Sequence, residues 1–357
     1  MGFWAHLDRE AVFERGDVYR VGFDAERAAH APVRLAVLGA GGVAQSKYLP
    51  ALAQLRTRWE PVELVALSTL DARAADKLAT VWGAPVYTDS ATLLRDHRPD
   101  AVLVTSSDDA HAELTLAALE AGAHVLVEKP IAESLGSAAA MCRAAKAAEC
   151  LLVTTCNKRY SPPYAEARRL LDAGALPRPA LFSAKFVLGY EYVDLLASGT
   201  IHVFDLARHF MGDVRRLSAV SAAADLGIVV MLEFANGAIG SVVTSGAALS
   251  LHPWERVEIF GEHAWLEVDD QLTLTLHAAE YEPAQAWSPA MPNTLLSAEE
   301  WGGYVGMLEA FLAGVRGGAG ELDPLDGYRA LELVTASRLS LERRAPVDLP
   351  LDGDAMR

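Results

Sequence analysis

From Val33 onward the chain switches regularly between two rhythms of apolar and polar positions. Short apolar runs (VRLAVLG, VELVALS, DAVLVTS and HVLVEKP) alternate with stretches of helical spacing (LPALAQLRTRW, AADKLATVWG, DSATLLRDH and AELTLAALEAG). Unbroken apolar runs of that length suit strands covered on both faces, and the three-and-four spacing suits helices packed on them. PVY adds a short strand, the alanine-rich LGSAAAMCRAAKAAEC a helix, and LLVTTC a returning strand. Gly83 is placed to close one helix, and Asp89 or Ser90 to cap another. The alternation predicts a parallel, doubly wound α/β sheet over residues 33–156, a Rossmann-type dinucleotide-binding domain.

After Cys156 the rhythm changes. A helix over about Pro163–Ala173 leads to the strand ALFSAKFVL and a helix near His202–Met211. RLSAVSAAA, IVVMLEFANGAIGSVVTSG, RVEIFG and AWLEVD then follow with tight turns and no helix between them. Asn236-Gly237 between two apolar runs is a strong hairpin signal, and strands in succession predict an open, mainly antiparallel sheet. Helices over about Ala298–Val315 and Asp326–Arg343 are expected to pack back on the body. The expected organisation is an extension over 1–32, the Rossmann domain over 33–156, an α+β substrate and oligomerisation domain over 157–343, and a tail over 344–357. The aromatics Phe3, Trp4, Phe13, Tyr19 and Phe23 favour an ordered extension, because exposed aromatics forgo burial of large apolar area.

Composition narrows the function classes. A chain of 357 residues exceeds one ordinary core, and 52% hydrophobic with 22% charged residues describes a globular protein. The formal net charge of −16 argues against nucleic acid and anionic membrane surfaces as partners, both of which need a basic face. No apolar stretch reaches the roughly eighteen residues of a membrane span, and the charged N-terminus lacks a signal-peptide core. Cys142, Cys150 and Cys156 form neither a CxxC pair nor an even disulfide set, so reduced thiols in a cytoplasmic protein are expected. No His/Cys cluster has zinc spacing, and no metal is expected.

Three segments carry chemistry. Gly39-Ala40-Gly41-Gly42-Val43-Ala44 follows a strand and precedes a helix. Gly39 permits a tight turn, Gly41 and Gly42 let backbone approach a pyrophosphate at the helix N-terminus, and Ala44 keeps helix and strand close. At the end of the second strand Thr69 stands where NAD-specific folds usually carry a carboxylate for the ribose hydroxyls. With Arg73 one turn on, this slightly favours NADP, although Asp71 could bind ribose and Arg73 could simply solvate a helix start. Val127-Glu128-Lys129-Pro130 closes a strand, which points Lys129 into the crevice where this architecture binds ligands. Desolvation there suits a lysine to proton transfer.

The run ALEAGAHVLVEKPIA, with the glycine loop upstream, resembles the glucose–fructose oxidoreductase / inositol dehydrogenase (Gfo/Idh/MocA) family. Ser106 and His111 in TSSDDAHAEL, Asn157 and Arg159 in CNKRYSPPY, the segment GTIHVFDLARHFMGDV and the closing DGYRALELVTASRLSLERRAPVDL match in the same order, so the resemblance covers about Val33–Leu349. It implies a nicotinamide cofactor and a sugar, cyclitol or keto-sugar substrate. Lys129 and His202 take the family's catalytic positions, with Asp205 one turn after the histidine. Glu128, Ser106 and His111 are placed with the glycine loop, Val43, Thr69 and Arg73 on the cofactor side, although for His111 a structural role such as capping a helix is preferred to lining the nicotinamide edge. Asn157, Arg159, Tyr160, Asp194 and Ser198 are placed on the substrate side, and Tyr190 and Tyr192 share the approach to His202.

One position departs from the family pattern. Many family dehydrogenases carry Asp four residues before the histidine, where this chain has Ser198. Ser198 could cap the helix or touch substrate, and Asp194 could swing in as a substitute carboxylate. The expected chemistry is reversible hydride transfer between nicotinamide and a carbinol carbon. Lys129 exchanges the hydroxyl proton, His202 hydrogen-bonds the same oxygen, and Asn157 or Arg159 orients the ring. Two rivals stand beside it: a lyase or hydrolase that oxidises and re-reduces one substrate, and a non-catalytic cofactor-sensing or scaffold protein. Retention of both Lys129 and His202 argues against the latter. IVVMLEF and IGSVVTSG offer apolar residues to both sheet faces, and the resemblance implies association through that sheet, so a homodimer or homotetramer is expected.

Overall fold

A computed structural model describes residues 31–58, 60–189, 194–223, 226–247, 253–278, 284–287, 298–318 and 322–351. The expected extension over 1–32 thus falls almost wholly outside the described residues. The described chain divides into two compact units, one comprising residues 31–157 together with 298–331, the other residues within 158–297 and 332–351.

The first unit is built on six parallel strands: β1 (Val33–Leu38), β2 (Val62–Ser68), β3 (Val86–Tyr87), β4 (Ala101–Val104), β5 (His124–Val127) and β6 (Leu152–Thr154). Their order in the sheet is β3-β2-β1-β4-β5-β6, the two halves winding outward from β1 and β4. The sequence order reverses there, and ligands of such sheets bind outside the strand C-termini at that point. Every residue of β4 is buried, as expected where both faces are covered. The intervening helices are α1 (Leu49–Thr57), α2 (Ala72–Trp82), α3 (Ser90–His97), α4 (His111–Glu120) and α5 (Leu135–Ala147). Leu93, Leu119 and Met141 of these helices pack on Leu38, Val104 and Val127, each such side chain contributing about 1.5–3 kcal/mol.

Residues 298–331 complete this unit. The predicted helix over Ala298–Val315 is interrupted, giving α6 (Ala298–Trp301, after α5 and by position late in the chain) and α7 (Tyr304–Val315), with Gly302-Gly303 between them. Packed against α1, α7 is tied down beyond its end by Arg316, which donates to Glu60 Oε1 at 2.5 Å and to the Pro61 carbonyl at 2.7 Å. Tyr328 and Leu331 enter the same core as β4 and β5. Gly327 lies so close to β6 that a Cβ would sit 1.9 Å from Thr154 Oγ1.

The second unit carries a nine-stranded mixed sheet. Its strands are β7 (Leu181–Val187), β8 (Val214–Ser221), β9 (Ile228–Phe234), β10 (Ile239–Ser245), β11 (Trp254–Phe260), β12 (Trp265–Asp269), β13 (Thr273–His277), β14 (Gln285–Trp287) and β15 (Val347–Asp348). They run in the order β14-β13-β12-β11-β7-β10-β9-β8-β15, with only β7 and β10 parallel among the described pairs. The predicted hairpin joins β9 to β10: Gly237 takes φ +90° and Asn236 Oδ1 accepts from the Ala238 N–H at 2.9 Å. One face, with Phe182, Val230, Leu232 and Val242, is buried. The other exposes Val220, Val229, Met231, Ile239 and Val243, Met231 to 61%. Two further helices, α8 (Pro162–Asp172) and α9 (Ile201–Met211), belong to this unit, and α10 (Leu325–Arg343) contributes its residues from Glu332 on.

Candidate active site

The glycine loop connects β1 to a helical segment whose first bond runs from the Gln45 N–H to Gly41 O at 3.0 Å. By helix geometry the N–H groups of Gly42, Val43 and Ala44 therefore precede any intrahelical acceptor, the arrangement that receives anions. Gly39 takes φ +90°, and a Cβ there would lie 2.6 Å from the Ser106 backbone, so no other residue lets the loops after β1 and β4 meet. The contact is closed by Thr105, whose hydroxyl donates to the Gly39 carbonyl at 2.9 Å. Cβ atoms at Gly41 and Gly42 would meet nothing within 4 Å, which leaves their backbone open to a ligand. A dinucleotide pyrophosphate fits this loop.

At the end of β2, Thr69 Oγ1 accepts from the Asp71 N–H at 3.2 Å. Asp71 caps α2 by accepting from the Arg73 N–H at 2.9 Å. This commits the nearest carboxylate to the helix and leaves Arg73 exposed beside Leu70.

The loops after β4 and β5 are held by side chains that turn inward. His111 is fully buried, one ring nitrogen 2.8 Å from the Pro130 carbonyl and the other 3.3 Å from that of Ser106. Its placement corrects the expected cofactor contact: with no surface to offer a ligand, the ring fastens the Ser106 loop to the segment after Lys129. Ser106 itself is partly exposed beside Gly39, its hydroxyl donating to Ser107 O at 3.2 Å. Glu128 is engaged within the protein: one carboxylate oxygen accepts from the Tyr48 hydroxyl at 2.5 Å and the other from the Lys129 N–H at 2.8 Å. Thr155 Oγ1 accepts from that same N–H at 3.1 Å. Lys129, half-buried, thus stands on a clamped backbone at the C-terminal end of β5. Burial, then the charge of Glu128, push the Tyr48 phenol well above its ordinary range and keep it a donor.

Asn157 ends this unit, buried, with its amide donating to the Gly302 carbonyl at 2.7 Å. The neighbouring residues belong to the second unit. Lys158 pairs with Glu255, which also accepts from Tyr164 at 2.7 Å and Gln271 at 3.0 Å. Arg159 grips Asp205 with two bonds, at 2.8 and 2.5 Å, the carboxylate being buried. Arg159 therefore anchors α9, on which Asp205 lies one turn after His202. Tyr160 and His202 are both half-buried.

The approach to His202 overturns two expectations. Ser198 does not cap a helix. It lies inside a π-helical turn, Leu195–Thr200, whose cap is Asp194, with Oδ1 accepting from the Leu196 and Ala197 N–H groups at 3.0 Å. Nor is Asp194 free to replace the missing carboxylate, because its other oxygen pairs with Arg338. Ser198 is half-buried one turn before His202, while Tyr190 and Tyr192 lie outside the described residues. Tyr48 carries no signal that marked it in the sequence, since its partner is 80 positions away.

Comparison with known proteins gives a consistent picture. The model of an oxidoreductase family with an NAD-binding Rossmann fold, GFO_IDH_MocA, matches residues 33–155, and that of the GFO/IDH/MocA C-terminal domain matches 164–267. Myo-inositol 2-dehydrogenase of Thermotoga maritima is 29% identical over 287 residues, 74% of this chain and 84% of the relative. Inositol 2-dehydrogenase of Rubrobacter xylanophilus is 28% identical over 339 residues, 83% of this chain and 96% of the relative. The structure of levoglucosan dehydrogenase with NADH and L-sorbose shares the fold with a TM-score of 0.81 at 21% identity, over 90% of this chain and 100% of that one.

Proposed function

Because the chain belongs to the Gfo/Idh/MocA family of NAD-binding oxidoreductases, we propose that it transfers hydride between nicotinamide and a carbinol or keto carbon of a cyclitol or sugar. The observation that carries this reading is Lys129, fixed by its backbone at the C-terminal end of β5 in the unit that also holds the open glycine loop. The inositol dehydrogenases among its relatives support a polyhydroxylated substrate.

Gly39, Gly41, Gly42 and Val43 receive the pyrophosphate, with Ser106 beside them. A nicotinamide cofactor held there would supply the hydride acceptor or donor. Lys129 exchanges the hydroxyl proton, and His202 hydrogen-bonds the substrate oxygen, a role supported by its match to the family position. A positioned acid/base group of this kind contributes about 10²–10⁴-fold. Arg159 acts on substrate only through Asp205 and the helix that carries His202, while Asn157 supports the segment after β6. Ser198 and Tyr160 are left as the substrate-side hydroxyls.

NADP is slightly favoured, because Asp71 is engaged in capping and Arg73 is exposed at the ribose end. A second copy of the chain covers the outer face of the mixed sheet, where Val220, Val229, Met231 and Val243 are exposed, giving a dimer or tetramer. Cys142, Cys150 and Cys156 are not joined in disulfides, which supports a cytoplasmic location. No helix among the described residues is long and apolar enough to cross a membrane.

The test incubates the purified protein with NAD⁺ or NADP⁺ and myo-inositol, levoglucosan or L-sorbose, following nicotinamide absorbance. Turnover is expected with at least one pair. Tight nucleotide binding without net absorbance change in either direction points instead to a lyase that re-reduces its product. Failure to bind either nucleotide overturns the reading. A preference for NAD above about tenfold, roughly 1.4 kcal/mol, overturns the NADP assignment alone. Light scattering that shows a concentration-independent monomer overturns the assembly.

A further inference from the structure

Tyr48 has no part in the roles assigned above, yet it joins two of them. It ends the π-helical turn Ala44–Tyr48 that follows the glycine loop directly, and it is 1% exposed. Its ring is fixed edge-on by Tyr304, with centroids 5.2 Å apart at 89°. The hydroxyl reaches Glu128 at 2.5 Å, and the other oxygen of that carboxylate accepts from the Lys129 N–H at 2.8 Å. An apolar pair of the same volume would fill this place without desolvating a carboxylate. The polar pair adds direction, which packing alone lacks.

The geometry points to Tyr48 as a positioning residue: its hydroxyl holds the Glu128 carboxylate against the Lys129 backbone, so the turn that carries the glycine loop also sets the lysine. The inference rests on the reading of Lys129 as the proton-transfer group. Thr155 Oγ1, 3.1 Å from the same N–H, holds the Lys129 peptide from the β6 side and also hydrogen-bonds the Tyr48 phenol, so the Glu128 carboxylate relies on that phenol for its side-chain donor. Without the phenol, one oxygen of Glu128 loses its donor, and the carboxylate becomes free to turn toward the adjacent Lys129 ammonium. In general, an opposite charge brought close to an amine favours its protonated, unreactive form.

Two readouts on the full chain test this. Trace acetylation with acetic anhydride, quantified by peptide mass spectrometry, reports the reactivity of each lysine without any substrate. In Tyr48→Phe, acetylation of Lys129 is expected to fall about threefold or more while the other lysines and the NAD⁺ affinity hold steady, since the added charge acts locally. Single-turnover hydride transfer with the polyol that turns over is expected to fall about tenfold or more, the scale of a slightly misplaced reacting group. Glu128→Gln keeps an oxygen for the Lys129 N–H and offers its amide to the Tyr48 oxygen, so Lys129 acetylation there stays at or above the wild-type level. Adding Tyr48→Phe to Glu128→Gln then changes Lys129 acetylation no further. Unchanged Lys129 acetylation in Tyr48→Phe, or a fall in Glu128→Gln, overturns the proposal. So does an undiminished effect of Tyr48→Phe in the Glu128→Gln background. Absence of turnover with the acetylation pattern intact counts against the hydride-transfer reading instead.

Discussion

At the end of β5, Lys129 is held through its backbone: the Glu128 carboxylate and the Thr155 hydroxyl both accept from one N–H. Ahead of and along α9 the means are different. Arg159 pairs with Asp205 and Arg338 with Asp194, so the segment around His202 is placed by side-chain ion pairs. Backbone anchoring places the lysine through its peptide, not through its side chain, and tolerates its replacement. Ion-pair anchoring puts stability at stake in each partner, because a buried charge left alone costs more than the intact pair contributes.

The comparison breaks most visibly at Lys129. Lys129→Met keeps the stem and leaves the backbone clamp intact, so folding and nucleotide affinity are expected to persist while hydride transfer falls by about 10²–10⁴. His202→Asn is expected to lose less, since an amide still hydrogen-bonds the carbinol oxygen. Stopped-flow single turnovers measure both; a live Lys129→Met beside a dead His202→Asn reverses the two roles.

The ion-paired segment responds in stability instead. Arg159→Leu strands the buried Asp205 carboxylate, and the urea midpoint is expected to report a loss of about 3–5 kcal/mol. Arg338→Ala removes the partner of the half-exposed Asp194 and is expected to cost no more than about 1 kcal/mol. Equal losses in the two variants would show that burial does not govern these pairs.

The smallest effect sharpens the backbone-anchored side. His124, at the start of the strand that ends at Lys129, accepts the Leu151 N–H on Nδ1 at 2.9 Å. Burial lowers its pKa below the ordinary histidine value, against the opposing pull of Asp100. The folded state therefore binds the proton less readily than the unfolded chain. The associated stabilisation is present above about pH 6.5 and is lost as pH falls through the folded pKa. Histidine NMR titration should place the His124 midpoint below the ordinary histidine value; a midpoint at or above that value contradicts the hydrogen-bond assignment.

How much of this was legible in the sequence depends on the range over which the relevant partners lie. Strands β1 to β6, the glycine loop and the Asn236-Gly237 hairpin are local patterns, and each lies where periodicity and turn chemistry put it. Ser198 shows the limit of local rules. Serine and aspartate are both good caps, and only the π-helical turn reveals that Asp194 takes the position. His111 and Glu128 owe their inward roles to partners 19 and 80 positions away, which no spacing rule reaches. The five-residue β13, TLTLH, passed unassigned because it is short and begins directly after a turn. The inclusion of residues 298–331 in the parallel-sheet unit depends on Arg316 finding Glu60 and on Gly327 fitting against Thr154, contacts between distant parts of the chain.

That last arrangement bears on the order in which a ribosome could finish the molecule. All six parallel strands have been synthesised by Thr154, yet the surface of α1 waits for α7, and the core waits for Tyr328 and Leu331. The nucleotide-binding unit is begun first and completed only after every strand from β7 to β14 has emerged. Throughout that interval α1 lacks the helix that packs on it, the condition under which nascent chains call on chaperones. A chain released before Leu331 would carry every residue of the glycine loop and Lys129 and still lack a finished core beneath them.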